Sequence, residues 1–90
     1  MSEQTNHVTM YLTDWCPHCA KLRKHLDRTE TPYATIDIEA EGNEEAAEWV
    51  KSVNDGNAVV PTIRYSDDTH ETNPRASAVR AKLRELTGEA

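Results

Sequence analysis

Residues 11–26 read YLTDWCPHCAKLRKHL and hold both cysteines of the chain, Cys16 and Cys19. Just upstream, "HVTMYLT" alternates Val8, Met10 and Leu12 against Thr9 and Tyr11, the period-two pattern of a strand. From Pro17 to about Arg28 the residues favour helix, with Cys19, Leu22 and Leu26 on one side and charged residues over much of the rest. A strand ending near Leu12 and a helix opening at Pro17 put Cys16 at the cap position. There its sulfur faces the unpaired amides of the first turn, above all those of His18 and Cys19. Such donors favour a thiolate over a neutral thiol. Pro17 suits its place, because the amide it lacks would have had no partner in the helix. Cys19 lies almost one turn further on, turned toward the protein. The pair reads as an exposed attacking sulfur, Cys16, and a sheltered resolving or redox partner, Cys19.

Other roles for two cysteines fit less well. Inert core cysteines sit inside apolar runs, whereas Cys16 stands between Asp14-Trp15 and Pro17-His18. A structural disulfide at this spacing closes too small a loop to restrain much of the unfolded chain. Zinc wants four ligands, commonly from two spaced pairs. No second CxxC exists, and His7, His18, His25 and His70 form no close pair, so no metal is expected. His18 either adds positive charge beside the sulfurs or is merely solvated. Trp15 packs beside an incoming disulfide, anchors the loop, or does both. Lys21, Arg23 and Lys24 read as a solvated helix face.

Working outward, "TPYATIDIE" is a second strand, with Ala34, Ile36 and Ile38 alternating against Thr35 and Asp37. A second helix runs from Asn43, a capping-type residue, to about Val53, with Ala46, Trp49, Val50 and Val53 on its apolar side. "NDGNA" ends it. Residues 61–65 and 69–72 form a hairpin around Ser66, Asp67 and Asp68. The last helix opens with Asn73 as cap and Pro74 at the first helical position, and Gly88 stops it. Ala76, Val79, Leu83 and Leu86 give it one buried face. The order β-α-β-α-β-β-α implies an α/β domain, a mixed sheet covered on both sides. Residues 1–90 form one such unit, with 1–6 as a frayed polar end.

The charge balance excludes some partners. Ten basic against sixteen acidic side chains leave −6, which argues against nucleic acid and against anionic membrane surfaces. No apolar run approaches the ~20 residues that a bilayer demands. "MSEQTNHVTM" lacks the basic and apolar regions of a secretory signal. Reactive rather than stapled cysteines fit a cytoplasmic setting. A chain of 90 residues buries a modest core. Its net stability is expected to be roughly 5–10 kcal/mol.

Across nearly its whole length the chain resembles the glutaredoxins, and more closely the actinobacterial mycoredoxins. The likeness rests on "TDWCPHC", "EEAAEWVKSVNDGN", "VVPTIRYSDDTH" and "TNP". It implies a thioredoxin-like (glutaredoxin) fold, four strands in a mixed sheet flanked by three helices, and the reduction of mixed disulfides. By the same resemblance Cys16 is the attacking cysteine, Cys19 the second of the motif, and Pro61 a cis-proline beside the active-site loop. Its use would be to offer the amide and carbonyl of Val60 to a cysteinyl substrate. Two features depart from glutathione-using relatives. "HETNPRA" replaces their Gly-Gly pair, and Thr13, Asp14 and Trp15 stand where they often carry a lysine. Those features hold glutathione's carboxylates. Mycothiol, a cysteine on a sugar–inositol scaffold, has none to hold, and Asp14, Thr72 and Asn73 suit its hydroxyls. Mycoredoxin-like turns would also have glycine where Asp68 stands.

The implied activity is a mycothiol-dependent, monothiol reduction of protein–mycothiol disulfides. Mycothiol is then a co-substrate, mycothiolated proteins are the partners, and an NADPH-dependent reductase recycles oxidised mycothiol. No tightly bound cofactor is expected. The alternatives are a dithiol thioredoxin-like or glutathione-dependent reductase, or an iron–sulfur carrier in which two chains share a cluster through Cys16.

Overall fold

The computed structural model describes residues 7–88, so the fraying expected of residues 1–6 lies outside the described part. The elements run β1 (Val8–Leu12), α1 (Pro17–Arg28), β2 (Ala34–Asp37), α2 (Glu44–Ser52), β3 (Thr62–Tyr65), β4 (His70–Thr72) and α3 (Ala76–Thr87). This is the expected order. The strands form one mixed sheet, arranged β2-β1-β3-β4. β1 runs parallel to β2, with Thr9 opposite Ala34, and antiparallel to β3, with Met10 opposite Ile63. β3 and β4 pair antiparallel, Ile63 opposite Glu71. A parallel β1–β2 pair needs a crossover, which α1 supplies.

β1 is buried on both faces, which explains its near-continuous apolar character. Val8, Met10 and Leu12 join Leu22 and Leu26 of α1, Ile63 of β3 and Val79 of α3 in one cluster. Tyr11 points the other way, into a second cluster with Ile38 and Val50 that Trp49 of α2 backs. α1 and α3 therefore cover one face of the sheet, and α2 the other. The Trp49 ring lies 4.8 Å from that of Tyr11 and meets His70 edge-on at 5.9 Å. The Arg64 guanidinium sits 4.9 Å from its centre.

Two helix starts differ from the sequence reading. Asn43 occupies the cap position of α2, but its side chain makes no cap bond; its amide donates to the Asp37 carbonyl at 2.9 Å. It ties the helix start to the end of β2 instead. α3 begins at Ala76 behind Arg75, not at Pro74 behind an Asn73 cap. Asn73 takes a left-handed φ of 50°, and its backbone amide donates to the Pro61 carbonyl at 2.7 Å. The turn that delivers this amide to Pro61 delays the helix. At the far end Gly88 closes α3 in the left-handed region, φ 78°, as expected.

Asp68 holds the left-handed position of the hairpin turn, φ 70°, where glycine is the less strained choice. Arg64 meets its carboxylate at 3.2 Å. Next to it, Asp67 accepts from the Thr69 hydroxyl at 2.6 Å and pairs with Lys82 of α3 at 2.9 Å. The Thr69 hydroxyl first, then Lys82, hold the Asp67 carboxyl well below the usual carboxylate range. The hairpin is thereby pinned to α3. Leu26 is fully buried in the larger cluster. Leu26→Ala is expected to lower unfolding stability by about 3 kcal/mol in urea titrations.

Candidate active site

β1 ends at Leu12 and α1 begins at Pro17, so residues 13–16 form the loop that carries the first cysteine. Cys16 is the N-cap of α1, in extended conformation, and its Sγ accepts the Cys19 amide at 3.3 Å. One of the helix's unpaired opening donors thus finds its partner in a sulfur. The same Sγ lies 3.7 Å from the Val60 carbonyl, to which a thiol donates. The Val60–Pro61 bond is cis.

Cys16 is not the exposed residue that its position suggests. It is only 5% exposed and belongs to the larger core cluster, against which Val60 also packs. The helix opens directly at the edge of the core, so the cap side chain turns inward toward Val60 instead of out to water. Cys19 is 1% exposed. Burial first, and then its hydrogen bond with Cys16, push the Cys19 thiol up to about 12. At neutral pH it is a neutral thiol. Neither cysteine is in a disulfide.

Around the sulfurs stand an exposed rim and a polar brace. Asp14, Pro17 and His18 are exposed, and Trp15 is 68% exposed. The Trp15 indole donates to Glu39 Oε1 at 2.9 Å, which fixes the ring beside the loop. Thr72 Oγ1 donates to Asn54 Oδ1 at 2.7 Å. Asn54 Nδ2 in turn donates to the Val50 carbonyl at 2.8 Å and to Thr62 Oγ1 at 3.2 Å. Thr62 Oγ1 donates to the Val59 carbonyl at 2.7 Å. Asn54 therefore braces the segment leading into Val60 against α2, β3 and β4. In the sequence it is only one letter of a turn, and Glu39 is one more charged residue.

The structure brings Cys16, Cys19, Val60 and Pro61 together directly, and joins Asn73 to them through Pro61. Thr72 connects only through Asn54 and Thr62. Its proton is committed, which leaves its oxygen to accept. Among the described residues, no group of three or more His, Cys, Asp or Glu is placed to hold a metal ion. No described helix is long and apolar enough to cross a membrane.

Thr13 Oγ1 is buried with no hydrogen-bond partner among the described residues. Thr13→Val, which removes an unsatisfied hydroxyl at constant shape, is expected to raise stability by about 1 kcal/mol in urea titrations. The raised Cys19 thiol gives a second expectation. A group held protonated stays so below its raised value, so Cys19 should resist iodoacetamide in the native protein up to pH 10. It should react readily once urea unfolds the chain, as mass mapping would read.

The sequence profile of the Glutaredoxin family matches residues 8–71. Mycoredoxin 1 of Corynebacterium glutamicum is 58% identical over 81 residues, covering 90% of this chain and 98% of that protein. A candidate glutaredoxin of Mycobacterium tuberculosis is 43% identical over 84 residues, 93% of this chain and 98% of its own. Among solved structures, the glutaredoxin of Archaeoglobus fulgidus aligns with a TM-score of 0.69 at 26% identity, covering 89% of this chain and 88% of that one. With its paired cysteines at the mouth of α1 and its β2-β1-β3-β4 sheet, the chain belongs to the glutaredoxin family of thiol–disulfide oxidoreductases.

Proposed function

We propose that the protein reduces protein–mycothiol mixed disulfides through one cysteine, Cys16, with mycothiol as its co-substrate. The observation that carries this reading is the inequality of the two sulfurs. Both are buried, but Cys16 accepts an amide at the opening of α1 beside the Val60 carbonyl, whereas burial and its bond with Cys16 keep the Cys19 thiol protonated at neutral pH. A sulfur held neutral is a poor attacker. Cys19 is therefore ill suited to resolve a mixed disulfide, and the second thiol comes from solution. The kinship with Mycoredoxin 1 supports mycothiol as that thiol.

In the first step the Cys16 thiolate attacks the mycothiol sulfur of the mixed disulfide, forming a Cys16–mycothiol disulfide and expelling the protein thiolate. A second mycothiol thiolate then attacks the bound mycothiol sulfur, releasing mycothiol disulfide and regenerating Cys16. An NADPH-dependent reductase returns the mycothiol disulfide to the thiol. The Val60 amide makes no hydrogen bond among the described residues. It and the carbonyl beside Cys16 offer a cysteinyl substrate the two bonds of a short added strand, with Pro61 fixing their direction. Asp14, the Thr72 oxygen and Asn73 supply polar partners for the hydroxyls of the sugar–inositol scaffold. Trp15, held by Glu39, gives the scaffold an apolar wall. Pro17 and His18 complete the rim. The cytoplasm, where thiols are kept reduced, is the compartment in which this cycle runs.

Single substitutions test the route. Cys16→Ser should abolish removal of mycothiol from a mycothiolated protein, and Cys19→Ser should retain most of it, read by NADPH consumption in the coupled assay. Loss of turnover in a folded Cys19→Ser protein would overturn the monothiol route. Turnover with glutathione but not with mycothiol would overturn the choice of thiol.

A further inference from the structure

The face of α1 directed toward the start of α3 lines a cleft of ≈820 Å³ whose charge opposes that of the whole molecule. Lys21, Arg28, Arg75 and Arg80 line it, together with His18 and His25, and no carboxylate does among the described residues. All six side chains are exposed. The ion pairs among the described residues occupy Lys51, Arg64 and Lys82, none of which lines the cleft. Four basic side chains thus converge on one trough of a chain with net charge −6, none of them in an ion pair with another described residue.

Position and length narrow the occupant. On α1 the lining residues His18, Lys21, His25 and Arg28 recur at spacings of three and four, so they form one stripe along the helix. From His18 to Arg28 that stripe spans about 15 Å, the length of about five residues of extended peptide. One end begins two residues from Cys16. The other wall starts at Asn73, whose amide holds Pro61. The scaffold of mycothiol has no carboxylate to use these cations. On the mechanism proposed above, on which this inference rests, the positive charge serves the protein half of the mixed disulfide.

We infer that the α1–α3 cleft is a docking site for an acidic segment of the protein substrate, which presents its mixed disulfide to Cys16. The cations select partners with Asp or Glu near the modified cysteine in sequence. Their pull comes from exposed charges and is weakened by salt.

The test uses two synthetic peptides, each with one cysteine disulfide-linked to mycothiol, flanked on one side by five acidic or five basic residues. Wild-type protein should favour the acidic peptide in kcat/KM, chiefly through KM, and lose that preference in about 1 M salt. The double variant R28E/R80E should reduce the acidic-to-basic ratio about tenfold or more. K24E/R84E changes the net charge equally at exposed positions outside the cleft and should leave the ratio unchanged. Circular dichroism checks that both variants are folded. Equal use of the two peptides by wild-type protein, or equal effects of the two double variants, would overturn the cleft as a docking site. Failure to reduce either peptide would instead overturn the mycothiol-reductase reading. Self-association of wild-type protein that R28E/R80E abolishes would assign the cleft to a second copy and overturn the substrate assignment.

Discussion

One hydrogen bond, from the Cys19 amide to the Cys16 sulfur, ties the architecture to the chemistry. It exists because a central strand stops at Leu12 and a helix starts at Pro17, with one short loop between them. The strand is fixed by burial on both faces, the helix by its Leu22 and Leu26 stripe, and the sulfur is left at the junction as the cap. A helix opening supplies donors that a serine or aspartate usually satisfies. Here a soft sulfur takes that role, and on the proposed mechanism the residue that completes the helix is also the one that exchanges. Cys19, one turn deeper, loses contact with water through the same geometry.

A second layer of control comes from the far side of the chain. The loop that carries Val60 and Pro61 is held from two sides. Asn54 and Thr62 hold the approach to Val60, and the left-handed Asn73 clasps Pro61 through its amide. These polar contacts tie the loop to the residues that follow α2 and to those that follow β4. They set the wall of the site opposite the helix. On the proposed mechanism this wall is where a cysteinyl substrate would pair with the Val60 backbone.

Where local pattern and global structure agree, the sequence is easy to read. The period-two run of β1, the stripe on α1 and Gly88 at the end of α3 are local signals that the fold obeys. The misreadings cluster where tertiary demand overrides local preference. Asn73 and Pro74 look like a helix start, yet the Pro61 carbonyl claims the Asn73 amide first. Asn43 sits at a cap and bonds to Asp37 instead. Cys16 has polar neighbours in sequence, but the fold brings Val60 against it from forty-four residues away. Asn54 and Glu39 carry no local signal at all, since their partners are set only by packing. The CxxC pair and its place at the mouth of a helix were legible; the burial of Cys16 and the basic cleft between α1 and α3 were not.

The two faces of the sheet also differ in sign. α2 and the segment leading into it carry Glu39, Glu41, Glu44, Glu45 and Glu48, whereas the basic trough lies with α1 and α3 on the opposite side. The molecule accordingly carries a positive pole on the α1–α3 side, where the cleft begins two residues from Cys16. In the field of an approaching anion it turns that pole forward before any contact is made. An acidic molecule meeting the α2 face is repelled by these carboxylates, so its collisions are sorted by orientation.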